Sequence, residues 1–346
     1  VTTVRSMDGR PFILDWRERV RAGTLVGPRI LTAGPIIDGS PPFRSDNLAV
    51  ADPESARAAV AGQAARGYDF IKLYSNLSPA AYRAAVAEAQ ARRLRVAGHV
   101  PRTGQLEEAL SAQWSIEHLG DFAGAVTTQR PSVPPWARRA FAASLNPERL
   151  EALARRLAEA GTWVVPTMIQ QDRWLAPASR VEQWAAEPAI QALPSSVLTQ
   201  WRSGVDRFSS RLDADDWALL ERARGNRLAV VRAMYARGVR IALGTDTPNP
   251  FVAMGASVHQ ELANLVEAGM TPYQALHAAT VAPALMLDLQ TEQGTVEVGK
   301  RADLLVLSAN PLVDITATAS PWGVVLAGRW FDSPELEALS SALRPN

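Results

Sequence analysis

The sequence predicts an α/β fold, a TIM (β/α)8 barrel followed by a small antiparallel β module. Short apolar runs alternate with amphipathic helical segments along most of the chain, the order that builds a parallel sheet. The runs lead into helices rather than tight turns, and no Gly-x-Gly-x-x-Gly turn follows any of them, which disfavours a six-stranded dinucleotide fold. After Leu289 the rhythm changes to short alternating strands separated by glycine turns.

Seven strand patterns precede that change: Val1–Met7, Arg29–Ile37, Phe70–Ser75, Arg95–Val100, Trp114–Leu119, Trp163–Met168 and Arg240–Asp246. Helix starts between them are readable. Ser78-Pro79 places a cap and a proline ahead of Ala80–Arg93, and Asn146-Pro147 does the same for Glu148–Ala160, which Gly161 ends. Thr271-Pro272 opens Tyr273–Leu285. A closed barrel needs eight strands, and Val1 already lies within a β-branched run with no leader pattern ahead of it. The expected organisation is therefore a barrel over 1–288 lacking its first strand, and part of a small β module over 289–346. Its strands are Gly294–Lys300, Ala302–Leu307 and Val324–Phe331, whose apolar faces need partners. Residues 170–226 break the rhythm as a strandless insertion carrying Trp174, Trp184, Trp201 and Trp217. That stretch is either a lid at the catalytic face or a helical excursion that packs its tryptophans against itself.

Composition narrows the function. Of 346 residues, 47% are hydrophobic and 21% charged, and the net charge of +1 supplies no field for a polyanion. Nucleic acid is thus not an expected partner, and no apolar stretch is long enough for a membrane span. The absence of cysteine excludes thiolate metal ligands and thiol nucleophiles. Only Lys72 and Lys300 are lysines among 36 basic residues, an arginine bias that fits a GC-rich bacterial genome.

Barrel enzymes work at the C-terminal ends of their strands. Four strand patterns place chemistry there: Lys72 with Tyr74 on the same face, His99, His118 after Glu117, and Asp246. Each has a plainer role open to it. Lys72 could pair with Asp246 or act as a Schiff-base nucleophile. Asp246 could cap a helix, Tyr74 could be a wall residue, and either histidine could be a satisfied polar side chain. Arg102, just beyond His99, is either a carboxylate clamp or an exposed arginine. His259 and His277 fall on helical patterns and read as structural.

Taken in order, several segments resemble the amidohydrolase superfamily in its imidazolonepropionase- and prolidase-like branch. They are Val1-Thr2-Thr3-Val4-Arg5, Gly27-Pro28-Arg29-Ile30, Ile71-Lys72, Gly98-His99-Val100, Ile116-Glu117-His118, Gly244-Thr245-Asp246, Gly299-Lys300-Arg301-Ala302-Asp303-Leu304 and Asn310-Pro311-Leu312. The resemblance implies a metal-dependent hydrolase barrel with a small β-sandwich and a site for two Zn²⁺ or other divalent ions. By this likeness Lys72 is the lysine that takes up CO₂ as a bridging carbamate. His99 and His118 are ligands of the second metal, and Asp246 is the last ligand and the proton shuttle. Two dications would lower the pKa of a shared hydroxide and polarise a carbonyl, and Tyr74 could hydrogen-bond the oxyanion. The family's His-x-His is absent, as no two of the four histidines are one residue apart. The likeness therefore implies an upstream segment, possible as a separate polypeptide, that carries this motif. It also implies a homo-oligomer, since barrel relatives often pair.

The expected activity is hydrolysis of an amide, peptide or cyclic amide bond in a small substrate, with an aromatic or apolar moiety favoured by the insertion. Ester or phosphotriester hydrolysis and deamination use related sites, and a catalytically inactive binding protein is the reading from another class.

Overall fold

The computed structural model describes residues 1–102, 105–127, 141, 144–174 and 177–342. The chain forms two compact units, Val1–Asp121 with Glu159–Val164, and Phe122–Ala158 with Val165–Asn346.

The first unit holds β1 (Thr3–Ser6), α1 (Pro11–Arg21), β2 (Arg29–Thr32), β3 (Ile37–Gly39), β4 (Leu48–Val50), α2 (Pro53–Ala65), β5 (Phe70–Leu73), α3 (Pro79–Ala91), β6 (Arg95–Gly98), α4 (Leu106–Ala112), β7 (Ser115–Glu117) and most of β8 (Trp163–Val165). Strands β1 and β2 pair in parallel, and Ala33 bridges in parallel to Phe70. A six-stranded sheet runs in the order β4-β3-β5-β6-β7-β8. The run expected at Arg29–Ile37 is broken by Gly34-Pro35. Proline brings no N–H to a ladder, and the Gln63 amide instead donates to the Pro35 carbonyl at 2.6 Å.

All four residues of β5 are buried, as a parallel strand covered on both faces requires. Its register pairs Lys72 with Ala97 and Leu73 with Gly98. Ile71 and Leu73 meet Val60 of α2 and Tyr82, Ala85 and Ala89 of α3 in one core. Both helices start as their sequences dictate. Asp52 and Ser55 form a reciprocal capping box ahead of α2, and the Ser78 hydroxyl accepts from the Ala81 N–H at the head of α3.

The second unit is mainly helical among the described residues: α5 (Ala123–Val126), α6 (Pro147–Ala160), α7 (Met168–Trp174), α8 (Ala178–Ala185), α9 (Pro188–Gln191), α10 (Ser195–Ser209), α11 (Ala214–Ala236), α12 (Ser257–Glu267), α13 (Pro272–Ala279), α14 (Val281–Met286) and α15 (Ser333–Ala342). Its antiparallel sheet has the order β11-β10-β9, from β9 (Leu304–Leu307), β10 (Pro321–Leu326) and β11 (Arg329–Asp332). No described helix is long and apolar enough to cross a membrane.

Three expectations for this unit are corrected. Arg240–Asp246 is not a strand, and only Ile241 makes a bridge. The Leu243 N–H bonds to the Ala278 carbonyl at the end of α13, and Asp246 turns the chain at φ +56°. Gly294–Lys300 forms turns, with Val296 and Val298 exposed and the Lys300 N–H bonded to the Glu297 carbonyl. Tyr273–Leu285 splits at Thr280 because the Pro283 ring would collide with the carbonyl of Ala279 in a continuous helix. The described residues of the insertion, read from sequence as either a lid or a helical excursion, contain most of α7, then α8–α10 and part of α11, and two of its tryptophans pack into a core shared with residues beyond it. Trp184 and Trp201 pack on Phe251 at ring-centroid distances of 6.0 and 5.6 Å, beside Val181, Ile190 and Val205.

Candidate active site

In the first unit, the ends of β5, β6 and β7 bring together three of the four strand-end residues expected to do chemistry. Lys72 sits in β5 with 3% of its surface exposed. Gly98 ends β6 at φ +149°, where an added Cβ would lie 2.0 Å from the Leu73 carbonyl oxygen. Only glycine fits there, and the turn delivers His99, whose N–H bonds to that same oxygen at 3.1 Å. His118 follows β7 at φ +66°, a left-handed conformation uncommon outside glycine. The His99 and His118 rings are 4.8 Å apart, and the Tyr74 ring lies 4.2 Å from His99.

His99 is set up as a neutral donor. Burial pushes it down to about 4, the nearby Lys72 charge adds to this, and Asp121 opposes both. The Asp121 Oδ2 atom lies 3.0 Å from His99 Nδ1 and also accepts the Val100 N–H at 3.0 Å. With Nδ1–H committed to that carboxylate, the free lone pair belongs to Nε2. A carboxylate behind an imidazole is the usual support of a metal-bound histidine. Burial alone would raise Asp121, but His99 and the Val100 N–H together hold it below the ordinary carboxylate range.

Glu117 has a different task. Arg5 of β1 grips both of its oxygens at 2.9 and 2.8 Å and donates to the Ser115 hydroxyl at 2.8 Å. The Ser115 hydroxyl donates in turn to Glu117 at 2.6 Å. Burial works to raise Glu117, but Arg5 and then Lys72 hold it lowered and anionic. Glu117 is thus a fixed buried anion near Lys72 and His118.

The second unit contains Asp246. It is half-buried, and the Asn249 side chain donates to its carbonyl at 2.6 Å and to its Oδ2 at 2.8 Å. The next helix starts at Ser257, so Asp246 caps none. His259 donates from Nδ1 to the Thr318 hydroxyl at 3.0 Å, and that hydroxyl donates onward to the Ile315 carbonyl, a structural arrangement. Arg102 is exposed, with its N–H on the Ser75 carbonyl and its guanidinium 5.3 Å from the Phe43 ring.

Among the described residues no group of three or more His, Asp or Glu is arranged to hold a metal ion. The first unit therefore offers two imidazoles and Lys72. That set suits a dication only once the lysine nitrogen carries a carboxylate, and the neutral, carboxylate-backed His99 fits such a use. Asp121 was not identified from sequence; its position three residues after His118 is the one local signal.

A family model described as the amidohydrolase family matches residues 1–331. The chain belongs to the amidohydrolase family. Among curated relatives of this amidohydrolase, an ochratoxinase of Aspergillus niger is 35% identical over 125 residues, covering 35% of this chain and 25% of that protein. An imidazolonepropionase of Sphingopyxis alaskensis is 43% identical over 86 residues, covering 24% of this chain and 21% of that protein. The matched parts thus span a quarter or less of these relatives' lengths. A solved structure titled bottromycin amidohydrolase aligns at a TM-score of 0.80 and 27% identity, covering 99% of this chain and 74% of that one. The fold is the amidohydrolase α/β barrel type with a small antiparallel sheet, as the sequence predicts.

Proposed function

We propose that this amidohydrolase cleaves an amide, peptide or cyclic amide bond of a small substrate with the help of bound zinc. The observation that carries this is the buried Lys72 beside two imidazoles, one held neutral with its Nδ1–H tied to Asp121. Lys72, as a carbamate formed with CO₂, would hold the ions together with His99, His118 and Asp246. When bound, the ions would supply Lewis-acid polarisation of the carbonyl and an acidified water. Asp121 keeps the His99 ring in its donor tautomer. The Asp246 carboxylate would accept a proton at an oxygen and return it to the leaving nitrogen, giving a carboxylate and an amine. The Tyr74 hydroxyl would hydrogen-bond the oxygen that gains charge, and Arg102 would hold a substrate carboxylate. A His-x-His pair, absent from this sequence, would come from an N-terminal segment or partner polypeptide.

The test is zinc content and turnover on dipeptides, N-acyl amino acids and cyclic amides, using protein purified from its own cells with any N-terminal partner. Zinc-dependent turnover that falls by at least about a hundredfold in Asp246→Asn is expected. No zinc and no turnover across the panel would overturn the proposal. Turnover confined to esters, phosphotriesters or aminated nucleosides would replace the amide with that substrate class.

A further inference from the structure

The loop after β3 is anchored with unusual thoroughness for a surface segment. Asp38 is fully buried, and its carboxylate accepts four N–H donors. Oδ1 takes the backbone N–H groups of Gly39 and Asn76, both at 2.9 Å. Oδ2 takes the Phe43 N–H at 2.6 Å and the Asn47 side-chain amide at 3.2 Å. Asn76 also donates from its side chain to the Pro41 carbonyl at 3.2 Å. The loop is thereby stapled to the turn that follows the Lys72 strand.

What this anchoring holds in place is an exposed aromatic ring. Phe43 is 52% exposed, lies 5.6 Å from the Tyr74 ring, and has the Arg102 guanidinium 5.3 Å away. Tyr74 in turn touches His99. A row of side chains, Arg102, Phe43, Tyr74 and His99, therefore leads from the surface to the buried imidazole. The Phe43 ring packs on Tyr74 and Arg102 with one part and leaves the rest of its apolar surface open. Holding it on a fixed loop beside a positioned guanidinium removes the ordering cost of binding a ligand that is both apolar and anionic.

We infer that Phe43 is a specificity-determining residue for a planar aromatic group, that Arg102 takes a carboxylate on the same molecule, and that Asp38 is the positioning residue of the pair. This rests on the proposed function only in placing the subsite beside the reacting centre. It moves aromatic recognition from the tryptophans of the insertion, two of which are committed to packing, to the loop after β3.

The test is calorimetric binding to the metal-free chain, so that it does not depend on turnover. The probes are N-benzoylglycine, its carboxamide and N-acetylglycine. Wild type is expected to prefer N-benzoylglycine over both others. Arg102→Ala should weaken the acid about five- to tenfold and leave the carboxamide unchanged. Phe43→Ala should erase the benzoyl-over-acetyl preference. Each Asp38 oxygen accepts two N–H groups, so Asp38→Asn turns an NH₂ towards two donors in either orientation and should lower both preferences together. Phe43→Ala and Arg102→Ala decide the matter if Asp38→Asn does not fold. Wild type that fails to bind N-benzoylglycine or to discriminate among the three overturns the inference, as do both surface variants binding like wild type. Intact discrimination without zinc-dependent turnover would overturn the proposed function alone, and the reverse pattern would overturn only this subsite.

Discussion

Substitutions at Asp121 separate its hydrogen bonds from its charge. A single oxygen, Oδ2, serves both His99 Nδ1 and the Val100 N–H. Asp121→Asn can place its amide oxygen at that point and keep both bonds, losing only the charge. Asp121→Ala loses both, leaving two buried donors unpaired at about 1–3 kcal/mol each. It also frees the His99 ring to rotate and to exchange tautomers. Removing the carboxylate behind a ligand imidazole lowers metal affinity about 10–100-fold, which is about 1.4–2.8 kcal/mol. We therefore expect zinc affinity to fall by that factor in Asp121→Ala and by less than about tenfold in Asp121→Asn. Competition with a chromophoric chelator near neutral pH measures this, with a denaturant melt to show that each variant is folded. A folded Asp121→Ala protein with wild-type zinc affinity would refute the role given to His99.

Three further outcomes follow from buried groups. Burial pushes Glu261 up from 4.5 to about 7, against the N–H groups of Met168 and Ile169 that its two oxygens accept. The folded state thus keeps this proton to higher pH than the unfolded chain. Stability from this group is full below about pH 4.5 and declines by about 3 kcal/mol as pH rises to about 7. Glu261→Gln should flatten that slope in urea midpoints, and parallel profiles for wild type and variant would contradict it. Arg5→Met strands the Glu117 charge in a pair whose side chains are only 12% and 4% exposed, and should cost about 3–5 kcal/mol. Adding Glu117→Gln should recover much of this, and an Arg5→Met melt equal to wild type would count against it. Gly98→Ala puts a methyl 2.0 Å from the Leu73 carbonyl and should cost more than about 3 kcal/mol in a thermal melt. A neutral effect would mean that this strand end is not held as described.

Much of the candidate site could be proposed from sequence because parallel strands announce themselves as short buried runs with chemistry at their ends. Lys72, His99 and His118 were singled out as candidates this way, and they lie in or just after β5, β6 and β7, with the two imidazole rings 4.8 Å apart. The strand reading of Arg240–Asp246 failed because its backbone groups turn to α13 and to the Asn249 turn rather than to a ladder. The tryptophans of the insertion could not be assigned from sequence, since a tryptophan on a helix looks alike whether it packs on Phe251 or on a substrate. Asp121 and Asp38 were missed for one reason. Their roles depend on loop partners that no helix or strand period marks: His99, 22 residues back, for the one, and Phe43 and Asn47 in its own loop with Asn76, 38 residues on, for the other. Local pattern marks such residues only as polar positions in turns.

The central claim is that Lys72 becomes an anionic metal ligand, and ¹³C NMR of the protein incubated with zinc and ¹³C-bicarbonate tests it most directly. We expect a carbamate carbon signal that requires Lys72 and vanishes in Lys72→Ala, with zinc content falling in the same variant. A Lys72→Ala protein that binds zinc as wild type does, with no labelled carbon on either, would contradict it.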